Sequence, residues 1–331
     1  MVRPDVLLVS LGSTAGLCAA DSEFAGALRR AGASVEVARA AAPREGLRTL
    51  AVIDLAWARA ARAAALSAGP AGAVVYSTTT AALFGPWPGA IRFDALSAVN
   101  RPGRHGVWQR PLEARRLRSA SLLLPWAQSS LEGSPIIEGE VVVCPVPVVA
   151  SGGVDGVRDV AAVTYAASPE KKGLERVMRA FSAVRRPDEE LLVAGADPAV
   201  LPILPDGVRS VGRLEREEYR ALLRRARVFV TAPRREDYGI AQLEALADGC
   251  RLVTTPAPGP YAALPIARAL DPRLVVEGDA ELAAAIRTAL DEDGDRYAAE
   301  AREALAPFTP EAIDALVAHQ VLPRLAGRNL R

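Results

Sequence analysis

The stretch ARVFVTAPRREDYGIAQLEALADGCRLVTT, residues 226–255, decides the fold. RVFVTA (227–232) and CRLVTT (250–255) are short β-branched runs of the kind that form buried strands, and the Ala- and Leu-rich segment between them has helical composition. A strand that turns at Tyr238-Gly239 into a helix and returns as a strand predicts a crossover between parallel strands. Two carboxylates flank that turn: Glu236 lies just before the helix and Glu244 more than one turn inside it.

The same alternation repeats in both directions. Upstream, DVLLVS (5–10), SVEVA (34–38), GAVVYS (72–77), AIRFD (90–94), SLLLP (121–125) and EVVVC (140–144) read as strands, with helices over 19–31, 52–67 and 108–118. A second series runs through VAAVTYA (160–166), ELLVAG (190–195), VRSVG (208–212), the two opening runs and RLVVE (273–277). Between the series, CPVPVVASGGVDG (144–156) is rich in Pro and Gly and has no period, which marks a linker. Two doubly wound α/β domains follow, over 1–147 and 148–307, with 308–331 as a C-terminal helix that can cross back to the first. Thr309 is placed to cap that helix and Pro310 to occupy its first position.

Bulk properties narrow the partners. The chain has 331 residues, more than one core usually organises, and half of them are hydrophobic. Forty basic residues against thirty-nine acidic ones leave a formal charge of +1, so nothing global points to nucleic acid. The three cysteines, Cys18, Cys144 and Cys250, are dispersed, which fits reduced thiols in a cytoplasmic protein and no zinc site. Asp5 and the glycines at 12 and 16 break the N-terminal apolar run, so a first strand rather than a signal peptide is expected there.

Strand C-terminal ends and helix N-termini meet at the ligand sites of such sheets. The backbone N–H groups of Gly239 and Ile240 are then placed to receive an anion, phosphate being the usual one. Carboxylates beside a phosphate repel it, so Glu236 and Glu244 call for hydroxyl partners. Hydroxyls on both sides of a diphosphate describe a nucleotide sugar. Read alone, the pair is explained equally well by a carboxylate facing a helix dipole and a solvated helix residue.

The spacing of the pair, Glu236, seven residues, then Glu244, resembles the signature of retaining glycosyltransferases of family 4, which have the GT-B fold: two Rossmann-like domains facing across a cleft. The likeness runs from YAASPEKKGLERVMRAF (165–181) through ELLVAGADP (190–198) and VRSVGRLEREEYRALLRRARVFVTAPRREDYG (208–239) to CRLVTT. It implies that Glu236 contacts the transferred sugar, that Glu244 contacts the nucleotide ribose, and that Lys172 in KKG binds the diphosphate. It implies transfer of a hexose from a nucleoside diphosphate sugar, with no cofactor, no protein-bound metal and an unidentified acceptor. Domain rotation would close the cleft.

The chain departs from that pattern in two places. The arginine usual six residues before the lysine is Ala166, and Lys171 is the available substitute. The usual first-domain histidine is missing from AIRFDALSAVN (90–100), where Asp94 is the nearby carboxylate and equally suited to capping the next turn. These departures keep open a catalytically silent protein that binds a nucleotide sugar or an assembly partner. The loop SLGSTAGLC (10–18) lacks the dinucleotide fingerprint, and the resemblance makes Gly12 and Ser13 donor-phosphate candidates. Residues 101–118 hold six arginines against Glu113, a net +5, with Trp108 and two leucines interspersed. They read either as a surface whose arginine stems cover apolar area or as a peripheral contact with anionic membrane, which would be the inner face for a cytoplasmic protein.

Overall fold

The computed structural model describes residues 3–43, 46, 49–134, 139–152 and 157–327. The chain divides into two compact units, residues 1–147 with 308–331 and residues 148–307.

In the first unit the order is β1 (Val6–Ser10), α1 (Ala15–Arg30), β2 (Val35–Arg39), α2 (Leu50–Ala68), β3 (Ala73–Tyr76), the single turn α3 (Thr79–Ala82), β4 (Ala90–Phe93), the single turn α4 (Ser97–Asn100), α5 (Gln109–Ser119) and β5 (Leu123–Pro125). The strands pair in parallel in the order β2-β1-β3-β4-β5. Both faces are covered, as the near-continuous apolar strands require. Val6 and Leu8 face one core with Phe24 and Leu28 of α1, whereas Leu7 and Val9 face the other with Ala61 and Ala65 of α2.

The second unit runs β6 (Val160–Tyr165), α6 (Leu174–Val184), β7 (Leu191–Ala194), β8 (Val208–Gly212), α7 (Arg216–Arg225), β9 (Ala226–Thr231), α8 (Ile240–Ala247), β10 (Arg251–Thr254), α9 (Ala263–Leu270), α10 (Asp279–Asp291) and α11 (Asp295–Ala304). Its sheet is also parallel, in the order β10-β9-β6-β7-β8. The strand order reverses between β6 and β9, and between β1 and β3 in the first unit.

The last segment packs on the first unit. Thr309 Oγ1 accepts from Ala312 N, and Pro310 opens α12 (Pro310–Leu316). The helix continues through a π turn, Val317–Val321, into α13 (Leu322–Ala326). Pro323 supplies no N–H and its ring crowds the carbonyl four residues back, so the backbone widens just ahead of it. Ile313, Val317, Val321 and Leu325 fill one face of the first core, and Arg30 grips Asp314 with two hydrogen bonds of 2.6 and 2.8 Å.

Two expected strands are not strands. EVVVC is extended and hydrogen-bonds beside β5, yet it forms only an isolated bridge, Val141 with Leu123. Pro145 and Pro147 follow at once and have no donors with which to extend a ladder. RLVVE begins instead as a 3-10 turn, Pro272–Leu274, capped by the Asp271 carboxylate, and adds one bridge between Val275 and Thr254. Part of the expected linker, residues 153–156, lies outside the described residues.

Candidate active site

The reversal between β6 and β9 places two loops side by side: residues 166–173 after β6 and residues 232–239 after β9. Backbone contacts fix both. Gly173 holds the left-handed conformation at the start of α6 (φ +66°), and a Cβ there would lie 1.9 Å from the carbonyl oxygen of Ala232. Arg234 N donates to Lys171 O at 2.9 Å, and Glu236 N donates to Pro258 O at 3.0 Å. Gly259 (φ +116°) closes the far side, where a Cβ would sit 2.1 Å from Glu236 O. Four close backbone approaches therefore hold the loop that carries Glu236, and two of them admit only glycine.

Side chains cross the same gap as two parallel ion pairs. Lys172 Nζ lies 2.5 Å from Glu236 Oε2, and Lys171 Nζ lies 2.5 Å from Asp237 Oδ2. Arg235 adds a contact of 3.1 Å to Asp237 Oδ1. Burial pushes the Asp237 carboxyl up, but the charge and hydrogen bond of Lys171, with help from Arg235, outweigh it and hold the group below its usual range. The Lys172–Glu236 pair is the more buried of the two, and Gln242 Nε2 also donates to Glu236 Oε2, at 2.8 Å.

α8 starts at Gly239 (φ +92°) with no side-chain cap, so its first N–H groups keep the positive end of the helix dipole for a ligand. One helical turn on from Ile240, Glu244 faces α7, 3.4 Å from Arg216 and 3.7 Å from Arg220. It is buried, which excludes the solvated-residue reading. Burial raises its carboxyl above the ordinary value, opposed by Arg220 and Arg216. Arg220 spends its best geometry elsewhere, on Asp248 at 2.6 and 2.9 Å.

The structure thus brings Lys171, Lys172, Glu236, Gly239, Ile240 and Glu244 into one unit, whereas Gly12, Ser13 and Asp94 belong to the other. Gly12 (φ +60°) and Ser13 form the turn between β1 and α1, whose N-terminus is capped by Thr14. Asp94 Oδ1 accepts from Ala95 N at 2.8 Å, whereas the next turn, α4, has Leu96 at its N-cap and no side-chain cap. Ala166 is fully buried at the end of β6, so an arginine there would have to displace its neighbours.

Much of the arginine-rich segment is engaged within its own unit. Arg101 is bidentate to Asp54 at 2.7 and 2.9 Å, Arg110 donates to the carbonyls of Arg101 and Gly103, and Arg116 donates to Trp87 O over the Tyr76 ring. Trp108 stacks on Phe84. Arg104, Arg115 and Arg118 are exposed.

Sequence reasoning missed Asp237, Gln242, Tyr261 and the arginines facing Glu244. A signal existed for Gln242, which with Glu244 is one of two polar residues in the otherwise apolar run IAQLEALA. None existed for Tyr261, which reaches the site from the loop after β10.

The two five-stranded parallel-sheet α/β units match GT-B glycosyltransferase structures in fold. Residues 158–292 match the family described as Glycosyl transferases group 1. Sucrose-phosphate synthase (tll1590) from Thermosynechococcus elongatus superposes with a TM-score of 0.76 at 15% identity, over 98% of this chain and 100% of that one. WaaG, a glycosyltransferase involved in lipopolysaccharide biosynthesis, gives 0.70 at 15% identity, over 95% and 99%. Anabaena Alr3699/HepE, solved in complex with UDP and glucose, gives 0.64 at 15% identity, over 96% and 99%. No curated protein matches the chain significantly. Among the described residues no helix is long and apolar enough to cross a membrane.

Proposed function

We propose that the protein transfers a hexose from a nucleoside diphosphate sugar with retention of anomeric configuration, and that residues 148–307 hold the donor. The observation that carries this reading is the Lys172–Glu236 pair at the strand-order reversal, beside the start of α8. Each half of the pair has a natural competitor in such a donor. Diphosphate oxygens draw the ammonium, and sugar hydroxyls replace it on the carboxylate. Lys172 and the helix start then offset the charge that grows on the leaving diphosphate, the main electrostatic demand of the reaction, without a protein-bound metal. Glu244 is assigned to the ribose hydroxyls. No side chain stands out as a covalent nucleophile, so the acceptor oxygen attacks the face from which the diphosphate departs and passes its proton to the departing phosphate oxygen. Gly12, Ser13 and Asp94 are assigned to this reaction by resemblance alone.

The test is a panel of nucleotide sugars incubated with the purified protein, read by release of nucleoside diphosphate and by calorimetric binding. One base–sugar combination is expected to stand out in both. Neither binding nor release across the panel overturns the proposal. A second reading, binding without turnover, draws on Ala166 and on the pairing of Lys171 with Asp237, which together leave one cation fewer for phosphate. Binding with no release in the presence of acceptor extracts selects it.

A further inference from the structure

Gln242 is almost wholly buried in the first turn of α8, as are Leu243, Ala245 and Leu246 further along it. Its Nε2 donates to Glu236 Oε2, an assignment forced because a carboxylate only accepts. Its Oε1 then faces the other way, buried and without a partner of good geometry, next to Gly239 and the ring of Tyr261: a Cβ built on Gly239 would lie 3.4 Å from that oxygen and 3.2 Å from the ring. Tyr261 is itself unusual. Among the described residues it is the one non-glycine with positive φ, +37°, and it is buried with its hydroxyl 2.5 Å from Thr254 Oγ1. Burial pushes its phenol far up, the Thr254 hydrogen bond opposes that, the Glu236 charge adds to it, and Gln242 again opposes it, so the hydroxyl stays protonated.

Thr254 Oγ1 lies within hydrogen-bond reach of both Tyr261 Oη and Thr255 O, and Gln242 Oε1 has no partner, so the buried amide is held through its Nε2 hydrogen bond to Glu236.

We propose that Gln242 is a positioning residue: its buried amide holds Glu236 by Oε2 and turns Oε1 towards the transferred sugar. The inference rests on the donor reading above. Its reason lies in the chemistry of Lys172, the other group on Oε2. Diphosphate binding draws the ammonium away from Glu236, whereas a neutral carboxamide does not compete for phosphate and stays. The amide therefore restrains the carboxylate when the donor is bound.

The experiment compares the parent with Gln242→Met, which keeps length without amide donor or acceptor. Crystal structures of each report the Glu236 carboxylate directly, and steady-state kinetics report kcat and the donor KM. Gln242→Met is expected to rotate the carboxylate off its present position and to lower kcat about tenfold or more with donor KM within about twofold, as expected when a reacting group is misplaced. Added to Glu236→Gln, Gln242→Met costs nothing further, a non-additivity that a merely structural residue would not produce. An unmoved carboxylate in Gln242→Met, or full additivity of the double substitution, overturns the proposal. If the parent turns over no nucleotide sugar, the functional proposal fails, and the crystallographic comparison still decides whether Gln242 positions Glu236.

Discussion

Glu236 and Glu244 share a helix start but answer to different groups, so their substitutions should separate. Glu236 meets Lys172 and Gln242, and replacing it with Gln keeps the shape while removing the charge. Turnover should fall by on the order of a hundredfold, with the melting temperature little changed. Glu244→Ala should chiefly weaken nucleotide binding, read by calorimetry. Glu244 also carries a sign that can be checked against pH. Its folded pKa lies above the ordinary value because burial outweighs Arg220 and Arg216. A raised carboxyl favours the folded state while protonated and loses that contribution as pH rises through the folded value. Glu244→Gln should therefore raise the melting temperature at pH 7 relative to the parent and change it little at pH 3. A variant less stable than the parent at pH 7 would show that the arginines, not burial, dominate. Lys171, the available substitute for the absent arginine, is paired with Asp237. With its ammonium on Asp237, Lys171→Ala should loosen the 232–239 loop and cost stability of about 1 kcal/mol, whereas Lys172→Ala should cost turnover. Equal kinetic losses in both would restore Lys171 as a phosphate ligand.

At the scale of elements, the alternation of strands and helices was legible because a parallel sheet buries both faces and leaves apolar runs too short for a helix. β1, β6 and β9 announced themselves in that way. EVVVC and RLVVE carry the same β-branched content, yet propensity does not say whether a neighbour can complete the ladder, and prolines on their flanks prevented it. Of the candidate site, Glu236 and Glu244 were marked by their spacing and Lys172 by the resemblance. The Lys171–Asp237 pair and Tyr261 were not, because their contacts join distant parts of the chain through loops whose path is set by glycines. Gly173 and Gly259 test that account. Alanine at Gly173 meets the Ala232 carbonyl and a left-handed φ costing about 1–2 kcal/mol on its own, so Gly173→Ala should destabilise the protein by more than that and impair donor binding. An alanine variant with parental melting temperature and affinity would show that the two loops are not held by this contact. The basic helix α5 gives the opposite kind of result. Arg116 is bound to Trp87 and Tyr76, so replacing Arg115, Arg116 and Arg118 together should lower the melting temperature. At about 1 kcal/mol per exposed arginine, the remaining charges should give only marginal, salt-sensitive sedimentation with anionic vesicles. Strong sedimentation abolished by the substitutions would establish a membrane contact.

On the scale of the whole chain, the ends of the sequence matter most to the unit that begins it. Residues 308–331 follow the second unit in sequence but pack on the first, where Ile313, Val317, Val321 and Leu325 bury against Phe24, Leu28 and the strands. Burying an aliphatic side chain of this size contributes roughly 1.5–3 kcal/mol, so four of them approach the 5–15 kcal/mol that a domain retains in all. The Arg30–Asp314 pair is exposed and adds little by comparison. Truncation after Pro307 should therefore unfold or aggregate the first unit while leaving residues 148–307 with a cooperative transition. Because Lys172, Glu236, Gly239 and Glu244 all lie in that unit, the truncated protein should still bind nucleoside diphosphate. Differential scanning calorimetry with and without the nucleotide distinguishes the outcomes: a single ligand-shifted transition from the second unit is expected, whereas two parental transitions would mean that the terminal helix contributes nothing to the first core.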